Sequence, residues 1–470
     1  MDANEFRNSL PAAVTTRLET RVVNAPMTLF EGTAIVHETD GPTEREVVIV
    51  HEWTPRPVVV CRYATSGQHA FRGDVRQLNE PITLEIPSLG IQTQARFYDG
   101  HSCGDDHRHG LALQKAVEIN AGEVMSRIVF HVINCRDFSE DMICHASGAC
   151  SAGRIEFETN DWQVTLDCVE NTSELVESLR HHGGRAITHR VQLSRIDGST
   201  FDNKALDQIA SLIEHFIAFV TGTWACLTLP IGYVNDEESW QLWNIRQGRS
   251  WSNPYTWSAH LPAKFVKAVF PGFAERFSDE DWNEPFTQAI DWYVQCRNGT
   301  TETSIILSQA ALELLSWVVY VEIGGVLKGL AGFENLWASD RIRLLLSKML
   351  VMTEFPPKVT DLAEFKFDGN QTYADGPHAI TEIRNGITHP KKKKRERLGQ
   401  MGPVLRHQAC ELGLFYLECC LLGLSGYFGP FRADTTCGAL YSRAAVSEPV
   451  YETADFSQLP GVEPAGPNEK

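Results

Sequence analysis

The chain has no glycine-rich phosphate loop running into a helix and no nucleophile elbow. That leaves no signature of a P-loop enzyme or a serine hydrolase. Cysteine pairs separated by two residues, the usual mark of a zinc site, are absent as well. The first residues, Met1-Asp2-Ala3-Asn4-Glu5-Phe6-Arg7, lack the basic and then apolar order of a secretory signal. Positive charge is short overall: a net charge of −18 excludes a chain-wide nucleic-acid coat, so any RNA contact has to come from a local basic island. Long apolar runs are scarce too. One uncharged stretch, His215 to Asn235, has the length of a membrane span, but Gly222, Pro230 and several Thr interrupt it, and no span is expected.

What is present describes a globular, cytoplasmic protein. Hydrophobic residues make up 43% and charged residues 22%. At 470 residues the chain exceeds one typical core, which predicts two or three domains. Its 12 Cys, without short regular spacing, read as reduced thiols.

Taken in order, the composition predicts an α+β protein: a β-rich N-terminal domain, expected as an antiparallel sandwich, followed by an all-α C-terminal helical bundle. Val47-Val48-Ile49-Val50, Val58-Val59-Val60-Cys61, Ile82 to Ile86, Ile128 to Ile133 and Trp162 to Leu166 are rich in β-branched or aromatic residues and are separated by turn residues. The β-rich domain is placed at 1–200. Cys103, His107 and His109, then Cys135, Cys144, His145 and Cys150, are spaced too loosely for zinc pairs, so buried thiols and surface imidazoles are expected. His181, His182 and His189 surround Gly183-Gly184 and read as solvated turn residues.

From Asp202 the period becomes helical through Leu206, Ile209, Ile213, Phe216, Ile217 and Val220. A helical and Trp-rich connecting region is placed at 201–283; its Trp240, Trp243, Trp251 and Trp257 are expected to pack one domain against another. The bundle is placed at 284–430. Helices are expected around Phe286 to Val294, Ile306 to Val318 with Thr303 or Ser304 as cap, 339–353, Asp375 to Ile387, and Pro403 to Tyr427. Residues 431–470, with four Pro after 442 and little apolar periodicity, read as a flexible acidic tail.

The densest chemistry lies in Ile383-Arg384-Asn385-Gly386-Ile387-Thr388-His389-Pro390, followed by Lys391, Lys392, Lys393, Lys394 and Arg395. Arg offers a permanently charged planar fork to a phosphate, and His moves a proton near neutral pH. Six of the seven residues 391–397 are Lys or Arg, which makes this the basic island that the overall charge requires. Asp375-Gly376-Pro377 reads as a helix start, Ile380, Ile383 and Ile387 form an apolar stripe, and Pro390 biases His389 away from helix. Arg384 and His389 are thereby placed around a helix C-terminus. An incomplete copy, Arg297-Asn298-Gly299-Thr300-Thr301-Glu302, carries Glu where the His should stand. Glu313 lies on an apolar helical line, where a carboxylate needs a partner, either Arg384 or a cation from a neighbouring helix.

An Arg, four residues and a His, with a polar residue directly after the Arg, resembles the signature of the HEPN superfamily. The resemblance covers roughly residues 286–430. The connecting region, more loosely, resembles the middle of larger bacterial HEPN proteins of the ApeA type, described as anti-phage factors. The resemblance implies a metal-independent RNase with Arg384, Asn385, His389 and Glu313 as catalytic residues and Lys391–Arg395 as RNA contacts. No cofactor or metal is implied. Partners would be RNA, single-stranded or tRNA-like, a second copy of the chain to complete the site, and a phage-encoded trigger at the N-terminal domain. The alternatives are a non-catalytic RNA- or nucleotide-binding scaffold and a toxin–antitoxin component. In the latter a Tyr just beyond the His is modified, and Lys391 stands there instead.

Overall fold

The computed structural model describes residues 3–431 apart from 39–40, 67–79, 104–105, 245, 247, 324–329, 357–358, 368–369 and 390. The chain divides into two units: Met1–Ile217 with Trp224–Asn253, and Ala218–Thr223 with Pro254–Lys470.

In the first unit a short helix, α1 (Ala3–Ser9), precedes the strands β1 (Met27–Glu38), β2 (Gly41–Glu52), β3 (Val58–Ser66), β4 (Ile82–Ile86), β5 (Ile91–Cys103) and β6 (Asp106–Leu113). Alternation puts Val47 and Ile49 of β2, Cys61 and Tyr63 of β3, and Leu84 and Ile86 of β4 in the core. The expected sandwich is corrected here. The strands run β1-β2-β3-β6-β5-β4 and close into a barrel, because β4 pairs back onto β1 at Ile35↔Glu85 and Val36↔Leu84. Turn spacing shows where strands stop, but closure depends on pairings between strands distant in sequence.

A second, eight-stranded antiparallel sheet follows in the order β7-β14-β13-β8-β12-β11-β10-β9. Its strands are β7 (Val117–Ile119), β8 (Arg127–Ile133), β9 (Asp141–Cys144), β10 (Cys150–Glu158), β11 (Trp162–Cys168), β12 (Ile187–Arg195), β13 (Leu227–Val234) and β14 (Glu237–Trp243). Val129 and Ile133 of β8 and Ile231 of β13 join the barrel residues and Leu175 and Leu179 of α2 (Thr172–His182) in one apolar cluster. The helix α3 (Leu206–Thr221) meets this sheet through an edge-to-face contact of Phe216 with Phe157, 5.2 Å between centroids.

The stretch 201–283, expected as a connector, is shared between the units. Strands β13 and β14 complete the sheet, whereas 218–223 and the chain from Pro254 onward belong to the second unit. The Trp residues divide with it: Trp243 is in the core of the first unit and Trp257 is fully buried in the second. His215–Asn235 becomes the end of α3 and the strand β13.

The second unit contains α4 (Ala263–Ser278), α5 (Asn283–Asn298), α6 (Thr301–Trp317), α7 (Leu330–Glu334), α8 (Ala338–Lys348), α9 (Thr360–Glu364), α10 (Gly376–Thr388), α11 (Lys392–Gln400) and α12 (Pro403–Leu424). The β-rich N-terminal part followed by a helical C-terminal region is therefore the observed architecture. The cap of α6 is Thr300, whose side chain accepts from the Thr303 amide, rather than Thr303 or Ser304. With its π-helical extension, Thr301–Glu322 is long and apolar enough to cross a membrane, but it packs against α5, α8, α10 and α12 and is largely buried. The tail from 432 onward lies outside the described residues.

The incomplete Arg-Asn-Gly copy is part of this unit's core. Arg297 Nη2 donates to Glu418 Oε1 of α12 at 2.7 Å, and its Nη1 donates to Glu411 at 3.3 Å. The Tyr293 hydroxyl and the Trp257 amide donate to the same Glu418 oxygen at 2.6 and 3.1 Å. Burial alone would push the Arg297 guanidinium down, but Glu418, Tyr293 and Glu411 hold it well above its ordinary value. Removing one member of a buried charge pair strands the other. Glu418→Ala is expected to cost about 3–5 kcal/mol, read from chemical denaturation. A loss below about 1 kcal/mol would show that Arg297 does not depend on this carboxylate.

Candidate functional site

The helix that carries the complete motif begins as its sequence predicts. Asp375 accepts from the His378 amide at 2.9 Å as the N-cap, and Pro377 occupies the first turn. The same carboxylate binds Arg343 of α8 in a two-pronged pair at 2.6 and 2.8 Å. Ala379, Ile380, Ile383 and Gly386 are buried, and Ile387 is half-buried. At the other end His389 leaves the helix with φ −97° and ψ 130°, its amide donating to the Asn385 carbonyl at 3.1 Å.

Arg384 is half-buried near this end. Its Nη1 donates to Asn385 Oδ1 at 3.4 Å, a long contact, and its Nε is enclosed without a partner among the described residues. Among those residues no carboxylate pairs with it. The His389 side chain is exposed, and no hydrogen bond joins it to Arg384. Pro390 lies outside the described residues. The two Arg-Asn-Gly copies thus differ in kind. Arg297 is paired with two carboxylates, Asn298 donates to the Gly222 and Val294 carbonyls at 2.8 Å each, and Glu302 pairs with Arg406 at 3.0 Å.

The structure does not bring Glu313 to Arg384. Its carboxylate takes Arg341 of α8 at 3.6 Å and the Gln309 amide at 2.8 Å, so the cation from a neighbouring helix is its partner. The basic run, by contrast, forms a helix. Lys391 is the N-cap of α11; Lys391, Lys392, Lys393 and Arg395 are exposed and Lys394 is half-buried. Arg397 anchors this helix, pairing with Glu382 of α10 at 3.2 Å and lying 4.3 Å over the Phe367 ring. Arg406 donates to the Leu398 carbonyl at its other end, at 2.9 Å.

Of the looser Cys/His groups, the side chains of Cys103 and His107 lie outside the described residues. His109 is buried and hydrogen-bonds Thr65 at 3.0 Å; His145 hydrogen-bonds Ser151 at 2.9 Å. Cys144 and Cys150 face each other across β9 and β10. His181 and His182 are exposed as expected, but His189 is not a turn residue: it is fully buried on β12, opposite Cys168 of β11. With Asp137 these two form a grouping that chain spacing could not announce, because it is built across strands. Burial alone would push His189 down, but Cys168 and Asp137 beside it raise it to about 10.

Residues 279–445 match the family model of the YopA C-terminal domain, and residues 120–254 match that of the YopA central domain. The chain is 27% identical over 413 residues to the SPbeta prophage-derived uncharacterized protein YopA of Bacillus subtilis (strain 168), covering 87% of this chain and 92% of the relative. No solved structure matches it. The central-domain match covers seven of the eight strands of the second sheet, β8 to β14, and the C-terminal match contains the whole Arg384–His389 segment.

Two glycines of α10 are expected to respond in opposite directions. A Cβ on Gly376 would meet the buried Tyr416 hydroxyl at 2.0 Å, so Gly376→Ala should destabilise by about 1–3 kcal/mol through overpacking. At Gly386 the nearest atom would be the Lys394 carbonyl oxygen at 3.6 Å, so Gly386→Ala should fit and stabilise by about 0.5–1 kcal/mol. Thermal unfolding of the two variants checks both signs.

Proposed function

We propose that the chain is a metal-independent endoribonuclease of HEPN type that acts in the cytoplasm as a bacterial anti-phage effector, with its β-rich part as the sensor. The observation that carries this reading is Arg384. It is a half-buried guanidinium without a counter-ion among the described residues, five residues from an exposed imidazole and next to a helix of lysines. A cation left unanswered by the fold suits an anionic ligand, and the RNA backbone supplies one at every nucleotide. RNA also brings its own nucleophile, the 2′-hydroxyl beside each phosphate.

In this mechanism His389 takes the 2′-hydroxyl proton or gives a proton to the departing 5′-oxygen. Arg384 neutralises charge on the phosphoryl oxygens, and Asn385 orients the guanidinium. The products are a 2′,3′-cyclic phosphate and a 5′-hydroxyl end. DNA is refused because it lacks the attacking hydroxyl. A single His serves poorly as both base and acid in one turnover, so two chains pair and contribute one motif each. Lys391–Arg395 hold single-stranded or tRNA-like substrate, while Glu313, paired with Arg341 of α8, takes no part in the step. A phage-encoded product at the N-terminal part would release the activity, and the prophage origin of the Bacillus subtilis relative fits a factor that works among competing phages.

The second reading is a non-catalytic RNA- or nucleotide-binding scaffold, favoured by the lack of any hydrogen bond between Arg384 and His389. Incubating the full chain with labelled single-stranded RNA, with and without chelator, separates the two. Cleavage unaffected by chelator and abolished by His389→Ala and by Arg384→Ala supports the nuclease; binding without products supports the scaffold. Cleavage that survives both substitutions would remove the mechanism.

Neutralising the exposed lysines tests the interface separately. Replacing Lys391, Lys392 and Lys393 by Gln should weaken RNA binding regardless of sequence and lower the salt slope by about one unit for each phosphate that is no longer neutralised. An unchanged salt slope would remove α11 from the interface.

A further inference from the structure

At one end of the eight-stranded sheet, three donors of different chemistry converge from three segments. Cys168 is the last residue of β11, His189 stands opposite it on β12, and Asp137 comes from the turn between β8 and β9. His189 Nε2 lies 3.2 Å from Cys168 Sγ and 4.0 Å from Asp137 Oδ1, and the three donor atoms all lie within 4.8 Å of one another. With sides of 3.2, 4.0 and at most 4.8 Å, this triangle has a common centre about 2.0–2.4 Å from each atom, the range of zinc bonds to nitrogen, oxygen and sulfur.

The surroundings already aim these groups. His189 Nδ1 is held at 3.0 Å by the Thr188 hydroxyl, which is itself fixed by the Cys135 amide at 2.9 Å. That leaves Nε2 as the nitrogen directed at the sulfur and the carboxylate, and it is the outer contact a ligating imidazole needs. Ser139 holds the Asp137 carboxylate, its amide donating to Oδ1 at 2.9 Å, and its hydroxyl lies 3.6 Å from the Cys168 sulfur. Cys168 and His189 are buried, whereas the Asp137 side chain is 45% exposed, so the cluster is open to water on one side.

We propose that Asp137, Cys168 and His189 bind one zinc ion, with water at the fourth position. The donor set selects the metal class. A thiolate and an imidazole with one carboxylate suit Zn²⁺, whereas Ca²⁺ and Mg²⁺ require oxygen ligands throughout. Zinc takes the thiolate and the neutral imidazole, so binding displaces the protons these two groups carry and loading weakens as pH falls. The ion would tie the ends of β11 and β12 to the β8–β9 turn. It lies in the first unit, uses none of the residues assigned to RNA cleavage, and stands or falls independently of that assignment.

The test uses the full chain, purified reduced, loaded with zinc and dialysed. Metal analysis should find one zinc per chain, and Co²⁺ in its place should give a thiolate-to-cobalt charge-transfer band. Cys168→Ala and His189→Gln should abolish both signals. Asp137→Asn, at the exposed ligand, keeps the test decisive if a buried variant fails to fold. Thr188→Val removes only the hydroxyl that holds Nδ1 and should weaken zinc binding by about 10–100-fold. Cys150→Ser, outside the cluster, should leave the metal content unchanged. No zinc and no cobalt band in the unaltered chain, or full loading in folded Cys168→Ala or Asp137→Asn protein, overturns the assignment.

Discussion

A guanidinium inside a protein has to be answered by negative charge, because its desolvation costs far more than one neutral hydrogen bond returns. The helical unit obeys this constraint at Arg297, where Glu418 and Glu411 close over the cation and Tyr293 and Trp257 donate to the same Glu418 oxygen. It obeys it again at Arg343, gripped by Asp375, and at Arg397, paired with Glu382 beneath Phe367. Arg384 stands apart. Among the described residues no carboxylate pairs with it, and its one side-chain hydrogen bond is the long one to Asn385. The ion pairs of the bundle join its helices, and among the described residues Arg384 takes no part in them.

Much of this was legible in the chain. Helix α10 could be read almost to the residue, because its start and stop signals are local: a capping Asp375, Pro377 in the first turn, and a Pro after His389. Strands β2, β3, β4, β8 and β11 were equally plain from their β-branched runs. Closure of the barrel was not, since it rests on a short pairing between β1 and β4 that no single stretch encodes. Strand β13 could be read only as a buried strand or loop: buried on both faces, Leu227 to Tyr233 carry no alternation to decide between the two.

At the candidate sites the same divide between local and long-range information holds. Arg384, Asn385 and His389 share one helix end, so their proximity is guaranteed by the chain. Glu313 required knowing which helix faces it, and α8 rather than α10 supplies its cation. Asp137, Cys168 and His189 come together only through strand pairing, and by sequence the histidine is one of three around a pair of glycines. The basic run was legible as charge but not as structure: seven residues of mostly one sign do not favour a helix by themselves, and the Arg397 clasp and the Lys392–Glu396 pair hold it in that form.

The path of the chain has a practical outcome. It passes out of the strand-rich unit for residues 218–223, returns for β13 and β14, and leaves again at Pro254. No one cut gives two intact halves. A break between β12 and residue 218 deprives the sheet of two strands, and a break at 254 takes from the bundle the turn that includes Phe219, whose ring lies against Trp257, Phe273 and Tyr293. Proteolysis or dissection aimed at freeing the helical part should therefore yield weakened fragments, and loss of function in such a fragment would report missing core rather than a missing regulator.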